Sequence, residues 1–195
     1  MKQLLVTIAR LIERIGRWLG EVTSWLVLGV LASVLVAVIA SALRANIMLD
    51  WGVDIPLFGD NLTVNDVIDL EWHFFAIMVM VGGTYAYLDD KHVRSDLIYA
   101  GLSNRGKKWI DCLGDIFLML PFTAVMCWLS IGFVMRSYRS GEGSDYGGML
   151  DRFVIKSTIP IGFAILFVVI LARVIRRLLD EDLAKSTYSN TDESV

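Results

Sequence analysis

Residues 22–43 read VTSWLVLGVLASVLVAVIASAL, a run of 22 residues that contains no Asp, Glu, Lys or Arg. A helix needs about 20 such residues, each rising about 1.5 Å, to cross the roughly 30 Å hydrocarbon core of a membrane. Residues 116–135 form a second charge-free run of 20 residues, and shorter runs lie at 72–88 and 157–172. The sequence therefore predicts an all-α integral membrane protein with four transmembrane helices, at about residues 22–44, 67–88, 115–135 and 157–177.

The composition of the whole chain agrees with this prediction. Of its 195 residues, 55% are hydrophobic and 20% are charged, and the mean hydropathy is +0.58. Soluble domains average about 45–50% apolar and about 25% charged residues. A disordered chain would need low hydrophobicity, and a disulfide scaffold would need many more than the two cysteines present. These classes, and an ordinary soluble enzyme, are therefore disfavoured.

Two further segments are predicted to lie at the membrane surface. In residues 1–21, apolar side chains recur at helical spacing and basic side chains occupy the other face, which is typical of an amphipathic helix in the headgroup plane. An extension of the first span is the alternative. A short interfacial helix is predicted between spans 2 and 3. The membrane domain then covers 22–180, and the polar residues 181–195 predict a disordered cytoplasmic tail.

The distribution of basic residues predicts the orientation of the four spans. The N-terminal segment, the connection between spans 2 and 3 and the tail carry 13 Lys and Arg residues, and the other two connections carry 5. Because basic connections stay in the cytoplasm, we expect both termini to be cytoplasmic. The first connection agrees, since residues 50–71 carry six acidic and no basic residues.

The charged residues also limit the chemistry that the spans can carry. No Asp, Glu, Lys or Arg lies in the central part of any predicted span, where a transporter that couples to ions by itself usually needs one. We therefore expect no buried charge that could drive transport. His73 and His92, roughly 28 Å apart along a helix, cannot ligate one haem. The sequence predicts no catalytic residue, no cofactor and no metal site.

Small residues recur every fourth position in two of the predicted spans, and such stripes let helix backbones approach closely in lipid. They are Gly29, Ser33, Ala37 and Ser41 in span 1, and Gly82 and Ala86 in span 2. The stripes pack either within this chain's own bundle or against another membrane protein, and the sequence leaves both alternatives open.

Three motifs around span 2 point to a known family. Residues 71–75 read EWHFF, residues 81–87 read VGGTYAY and residues 92–96 read HVRSD. Downstream, residues 140–144 read SGEGS and residues 159–163 read IPIGF. In their order and spacing, these motifs resemble the DctQ family, the small membrane subunits of tripartite ATP-independent periplasmic (TRAP) transporters. The resemblance covers roughly residues 20–180.

The resemblance implies a function without catalysis in a bacterial inner membrane. A large multi-span subunit would hold the substrate and sodium and move as an elevator, and a periplasmic substrate-binding protein would deliver an organic acid. This chain would be the static scaffold and part of the docking platform, in contact with membrane lipids and with no nucleic acid partner. The alternative is an autonomous small four-helix carrier or channel.

Several polar residues are candidates for contacts with these partners. Glu71 is a candidate for pairing with a cation of the large subunit, or is a first-turn acid favoured by the helix dipole. His92, Arg94 and Asp96 are candidates for a polar clamp on the spans or on lipid phosphates, with an ordinary solvated turn as the alternative. The candidates for docking the binding protein are Asp50, Asp54, Asp60, Glu142 and Asp145.

Overall fold

The computed structural model describes residues 1–89 and 104–192. Its elements in chain order are α1 (Lys2–Ser24), α2 (Leu26–Ala42), β1 (Ile47–Ile55), β2 (Gly59–Thr63), α3 (Val64–Leu88), α4 (Asn104–Gly114), a π-helical segment (Asp115–Met119), α5 (Leu120–Ser140) and α6 (Phe153–Asp192). Four helical stretches are long and apolar enough to cross a membrane: Lys2–Ala42, Val64–Leu88, Gly106–Ser140 and Phe153–Leu179. The prediction of four such helices in an α-helical chain is confirmed.

The N-terminal helix is longer and more closely packed than the sequence predicts. Helix α1 is interrupted only at Trp25 before α2 begins. A Cβ atom at Gly16 would lie 2.9 Å from the Val169 side chain of α6, and Gly20 leaves no room for a Cβ against Tyr85 of α3. These two glycines let the second half of α1 run alongside α3 and α6. A position of residues 1–21 in the headgroup plane stays a prediction.

Helices α1 and α2 together pack antiparallel to α3. Gly20 lies against Tyr85 and Gly29 against Phe74, and near the other end Ala37 clusters with Val64 and Val67, as Ala40 also does. Later residues of α1 and α2 therefore contact earlier residues of α3, so the first two spans run in opposite directions.

The connection between α2 and α3 is a β-hairpin, which the sequence analysis missed. Strands β1 and β2 pair antiparallel, and the Phe58 amide donates a 3.1 Å hydrogen bond to the Ile55 carbonyl across the turn. Pro56 holds the second turn position, where its ring sets φ, and Leu57 at the third has a φ of 76°. The hairpin therefore ends in a tight turn.

Helix α3 begins three residues before the predicted span, because a capping box stabilises its first turn. The Thr63 hydroxyl accepts a hydrogen bond from the Asp66 amide at 3.3 Å, and an Asp66 carboxylate oxygen accepts one from the Thr63 amide at 2.6 Å. Two backbone amides that have no partner in a bare helix end are thereby satisfied. The cap places the start of α3 directly against the hairpin.

The predicted interfacial helix between spans 2 and 3 falls partly on residues 90–103, which lie outside the described residues. The described part, α4, continues through the π-helical segment into α5. It therefore forms the beginning of the third long helix, and a separate interfacial helix is not shown. Helix α6 extends to Asp192, inside the segment predicted as a disordered tail. The domain boundary at residue 181 stays a prediction.

Candidate functional site

The hairpin and the connection 141–152 join to form one end of the bundle, which we call the hairpin end. The Leu150 amide donates to the Leu57 carbonyl in the hairpin turn at 2.7 Å. The Asn65 side-chain amide donates to the Tyr146 carbonyl at 2.6 Å. The Met149 amide donates to the Asp69 carboxylate at 3.0 Å. Two segments more than 80 residues apart in sequence are thus held as one surface.

Three of the predicted docking residues are exposed on this surface. Asp50, Asp54 and Asp60 all lie on the hairpin strands and are exposed. Among the described side chains, those of residues 1–89 and 106–179, none forms an ion pair with these carboxylates, although Asp50 accepts the Gly52 amide at 3.1 Å. The hairpin therefore presents three uncompensated negative charges.

The other two predicted docking residues are already engaged within the chain. The Glu142 carboxylate pairs with Lys156 and accepts the Ser137 hydroxyl at 2.8 Å. The Lys156 ammonium, followed by the Ser137 hydroxyl, lowers the pKa of Glu142 below its usual value. Asp145 pairs with Arg152 at 2.6 Å. Glu142 and Asp145 are therefore less suited than the hairpin acids to attract a cationic partner.

Glu71 lies on α3, two turns inside the helix, and is half-buried. Within the part of the chain that the structure describes, its carboxylate forms no hydrogen bond and no ion pair. Its carboxylate oxygens are not among the buried polar atoms that lack a partner, so they can be reached from outside the chain. The geometry thus leaves room for a cation from outside this chain. His92, Arg94 and Asp96 lie outside the described residues, so the predicted polar clamp stays a prediction.

The two stripes of small residues have different surroundings. In span 1, Ser33 and Ala37 are buried, and a Cβ at Gly29 would lie 2.9 Å from the Phe74 ring, so these positions pack against α3 of the same chain. Ser41 is exposed. In span 2, Gly82 has no heavy atom within 4 Å of a built Cβ. Ala86, one turn further along α3, is half-buried. Only the span 2 stripe has open space beside it.

The opposite end of the bundle contains a group of ion pairs that the sequence analysis did not predict. An Arg177 guanidinium nitrogen lies 2.8 Å from an Asp115 carboxylate oxygen, and a second lies 3.7 Å from Asp111. Arg176 pairs with Glu13 of α1 at 2.7 Å. Arg17 pairs with Asp89. These contacts join α6 to α1 and to the third long helix, and join α1 to the end of α3.

Two charged residues at this level, Asp115 and Arg173, are buried, and each is 7% exposed. Arg173 donates a 2.6 Å hydrogen bond to the Tyr87 carbonyl. Neither residue lies inside a charge-free run, and the middle of each span is without charge. In the sequence, Asp115 directly precedes the second charge-free run and Arg173 directly follows the last one. Because those two helices run in opposite directions, these positions indicate that both residues lie at the same end of the bundle.

The described residues hold no group of three or more His, Cys, Asp or Glu side chains that could bind a metal. The described residues offer three surfaces for contacts: the acidic hairpin end, the half-buried Glu71, and long apolar helix faces. Exposed apolar side chains are abundant on α5, where Phe117 precedes the helix at 69% exposure and Trp128 is 78% exposed. Such surfaces are covered by lipid or by another membrane protein.

The family model described as tripartite ATP-independent periplasmic transporters, DctQ component, matches residues 56–180. The match covers the hairpin turn, α3, the third long helix and most of α6. Searches of curated proteins and of solved structures gave no match.

Proposed function

The chain belongs to the DctQ family, and from this membership we propose that it is the static scaffold subunit of a sodium-coupled TRAP importer of an organic acid. Members of this family are small membrane subunits of TRAP transporters and are not enzymes. The family implies two partners, a large membrane subunit and a periplasmic substrate-binding protein. The substrate, the coupling to sodium and the scaffold role are the parts that we propose.

The observation that carries the scaffold role is the position of charge along the bundle. The described charged side chains of the long helices are concentrated towards the two ends, and ion pairs join helices at the end opposite the hairpin. A carrier that moved substrate by itself would need ionisable or broken backbone groups near the membrane midplane. A bundle fixed at its end and apolar at its middle is better suited to support a neighbour that moves.

Transport in proteoliposomes tests this proposal directly. The chain, the cognate large subunit and the binding protein are reconstituted together and separately, and uptake of radiolabelled carboxylates (succinate, malate and pyruvate first) is measured. We expect uptake only when all three proteins and an inward sodium gradient are present. Uptake by this chain alone would support the autonomous carrier or channel instead, and would refute the scaffold role.

The open stripe on α3 supports a contact with the large subunit. Gly82 and Gly132 both have open space beside them, so a leucine at either position fits the isolated chain. Small residues allow close helix approach in lipid, and we assign that role to Gly82 together with Ala86. Gly82→Leu should reduce co-purification of the large subunit by about tenfold, and the matched variant Gly132→Leu should not. Equal recovery of the two complexes would contradict this assignment.

The partner for Glu71 is proposed to be a cation of the same large subunit. Glu71→Gln keeps the size of the side chain and removes its charge, so helix α3 itself should be unaffected. We expect the complex to dissociate at a lower detergent or salt concentration than the wild-type complex does. Glu71 lies two turns inside α3, so the alternative of a first-turn acid favoured by the helix dipole is wrong. An unchanged complex would refute the proposed ion pair with the large subunit.

The three hairpin acids are proposed to attract the binding protein. Charges at the rim of an interface act mainly on the association rate and on its salt dependence. Replacing Asp50, Asp54 and Asp60 by Asn should lower the association rate about tenfold at low ionic strength, where steering by charge is strongest. Because Glu142 is already compensated by Lys156, Glu142→Gln should change the rate less than any single hairpin substitution. An association rate of the triple variant that equals the wild-type rate at low ionic strength, with the same salt dependence, would refute the docking role.

The orientation of the chain follows from the same proposal. With both termini in the cytoplasm, the hairpin end faces the periplasm, where the binding protein is. A reporter that fluoresces only in the cytoplasm should be active when fused to either terminus and inactive when inserted after Phe58 in the hairpin turn. Activity at the hairpin would place the docking surface on the wrong side.

A further inference from the structure

Helices α3 and α6 enclose a groove of about 740 Å³ at the hairpin end of the bundle. The connection 141–152 covers its upper end, where the Met149 amide is bonded to Asp69. At its lower end Gly162 lies against Met80, with a built Cβ only 3.0 Å from the Met80 carbonyl oxygen. Its volume lies within the range of about 300–1,000 Å³ that small-molecule sites occupy.

The lining of the groove changes from polar to apolar along its length. The charged lining residues are Asp69, Glu142, Arg152 and Lys156, all at or near the upper end. Farther into the helices the lining is apolar, with Phe75, Ala76, Val79, Ile155 and Ile159. Trp72 lines the wall between these levels and is 57% exposed, as expected of an indole ring at the membrane interface. A phospholipid has the same order of polarity, from headgroup to acyl chain.

The charges on the rim select the kind of headgroup. Two carboxylates and two cations line the groove, so the rim is balanced and offers no net attraction to an anion. Glu142 is bonded to Lys156, and Arg152 lies 3.9 Å from Glu142. Lysine has three N–H donors and arginine has five, so both cations retain donors for a phosphate. A zwitterionic headgroup matches the rim, with its phosphate at the cations and its ammonium at the acids.

His73 adds an independent indication of which zwitterion fits. Its Nδ1 lies 2.7 Å from the Asp69 carbonyl oxygen, which can only accept, so Nδ1 carries the proton. In the neutral tautomer with this hydrogen bond, the Nε2 atom is an acceptor. Nε2 is buried and has no hydrogen-bond partner among the described residues. A buried acceptor of this kind favours a ligand with an N–H donor, which a primary ammonium has and a trimethylammonium lacks.

We propose that the groove between α3 and α6 binds one phospholipid with a phosphoethanolamine headgroup. The ammonium lies between Asp69 and Nε2 of His73, the phosphate lies at Arg152 and Lys156, and an acyl chain follows the apolar wall towards Met80. The lipid fills the groove between the two helices, and so becomes part of the hairpin end.

Native mass spectrometry of the delipidated full chain tests this proposal. Phosphatidylethanolamine, phosphatidylcholine and phosphatidylglycerol with identical acyl chains are added separately, and the fraction of protein that carries one lipid is measured. We expect one phosphatidylethanolamine per chain, bound at least tenfold more tightly than either of the other two lipids. Equal binding of the three lipids, or displacement of the lipid by 10 mM inorganic phosphate, would refute the proposal.

Two variants locate the site. Ala76→Phe fills the groove and should abolish the preference, whereas Ala32→Phe, on the exposed surface of α2, should keep it. His73→Phe removes the Nε2 acceptor and should lower binding of phosphatidylethanolamine to the level of phosphatidylcholine, without changing the latter. Retained phosphatidylcholine binding shows that this variant is folded. Unchanged preference in either groove variant, or loss of the lipid on addition of the large subunit, would overturn the assignment.

Discussion

The ion pair between Asp115 and Arg177 makes a quantitative prediction about the stability of the bundle. The two side chains lie 2.8 Å apart and are 9% and 20% exposed. Asp145 and Arg152 at the hairpin end form a pair of similar length, 2.6 Å, with side chains 68% and 33% exposed. The two pairs therefore have nearly the same geometry and differ in their access to water, which makes one the control for the other.

Removing one partner of a buried pair costs about 3–5 kcal/mol, because the remaining charge is left without compensation. Arg177 is partly exposed and retains Asp111 at 3.7 Å. For Asp115→Asn we therefore expect a cost below that range, about 2 kcal/mol. The exposed control pair should contribute less than about 1 kcal/mol. In a chain of this length, about 2 kcal/mol corresponds to a decrease in Tm of about 4–8 °C.

Thermal unfolding of the full chain in detergent, followed by tryptophan fluorescence, measures both effects. Asp115→Asn should lower Tm by several degrees more than Asp145→Asn does. In the double variant Asp115→Asn/Arg177→Gln, the cost should be less than the sum of the single variants by about 1–2 kcal/mol, the coupling energy of residues in contact. Strictly additive single variants, or equal shifts for Asp115→Asn and Asp145→Asn, would refute the burial argument.

Two further predictions concern the connection that closes the hairpin end. A Cβ at Gly148 would lie 2.8 Å from the Asn65 carbonyl oxygen, whereas one at Gly143 has no neighbour nearer than 4.0 Å. Gly148→Ala should therefore lower the free energy of unfolding by about 1–3 kcal/mol, and Gly143→Ala should lower it by less than about 0.5 kcal/mol. Equal Tm values for the two variants would contradict this prediction. The pKa of Glu142 is lowered in the folded chain, chiefly by Lys156, so the stabilisation it provides is complete above its unfolded pKa of about 4.3 and is lost as the pH falls through the folded value. Hydrogen exchange of the backbone amides in the connection 141–152 should become faster over that acidic interval in the wild type, and should depend less on pH in Glu142→Gln. Identical pH profiles would show that the pair with Lys156 does not hold the connection.

The positions of the long helices could be predicted because hydropathy is a local property. Two spans are charge-free runs long enough to cross a bilayer, and the other two reach that length with their flanking apolar residues, so no knowledge of the neighbours is needed. The hairpin was missed although residues 49–55, LDWGVDI, alternate between apolar and small or acidic residues. That period of two is the pattern of a strand, and the six acidic residues of the segment obscure it.

The candidate site was predictable in composition but not in arrangement. The sequence offers five acidic residues as docking candidates. Only the structure separates the three on the hairpin from Glu142, which pairs with Lys156, and Asp145, which pairs with Arg152. Likewise, the sequence could not decide which stripe of small residues packs internally. That depends on the rotation of each helix about its axis, which the Gly29–Phe74 contact fixes for α2.

From the sequence alone came the four membrane helices, the absence of charge at their centres, and the motifs that match the DctQ family. These properties belong to short segments and add along the chain. The tertiary structure alone decided that Asp115 meets Arg177, 62 residues away, that the hairpin turn joins Leu150, and that α3 and α6 leave a groove between them. Contacts of this kind depend on the packing of several helices at once, so they do not follow from the order of residues in any one segment.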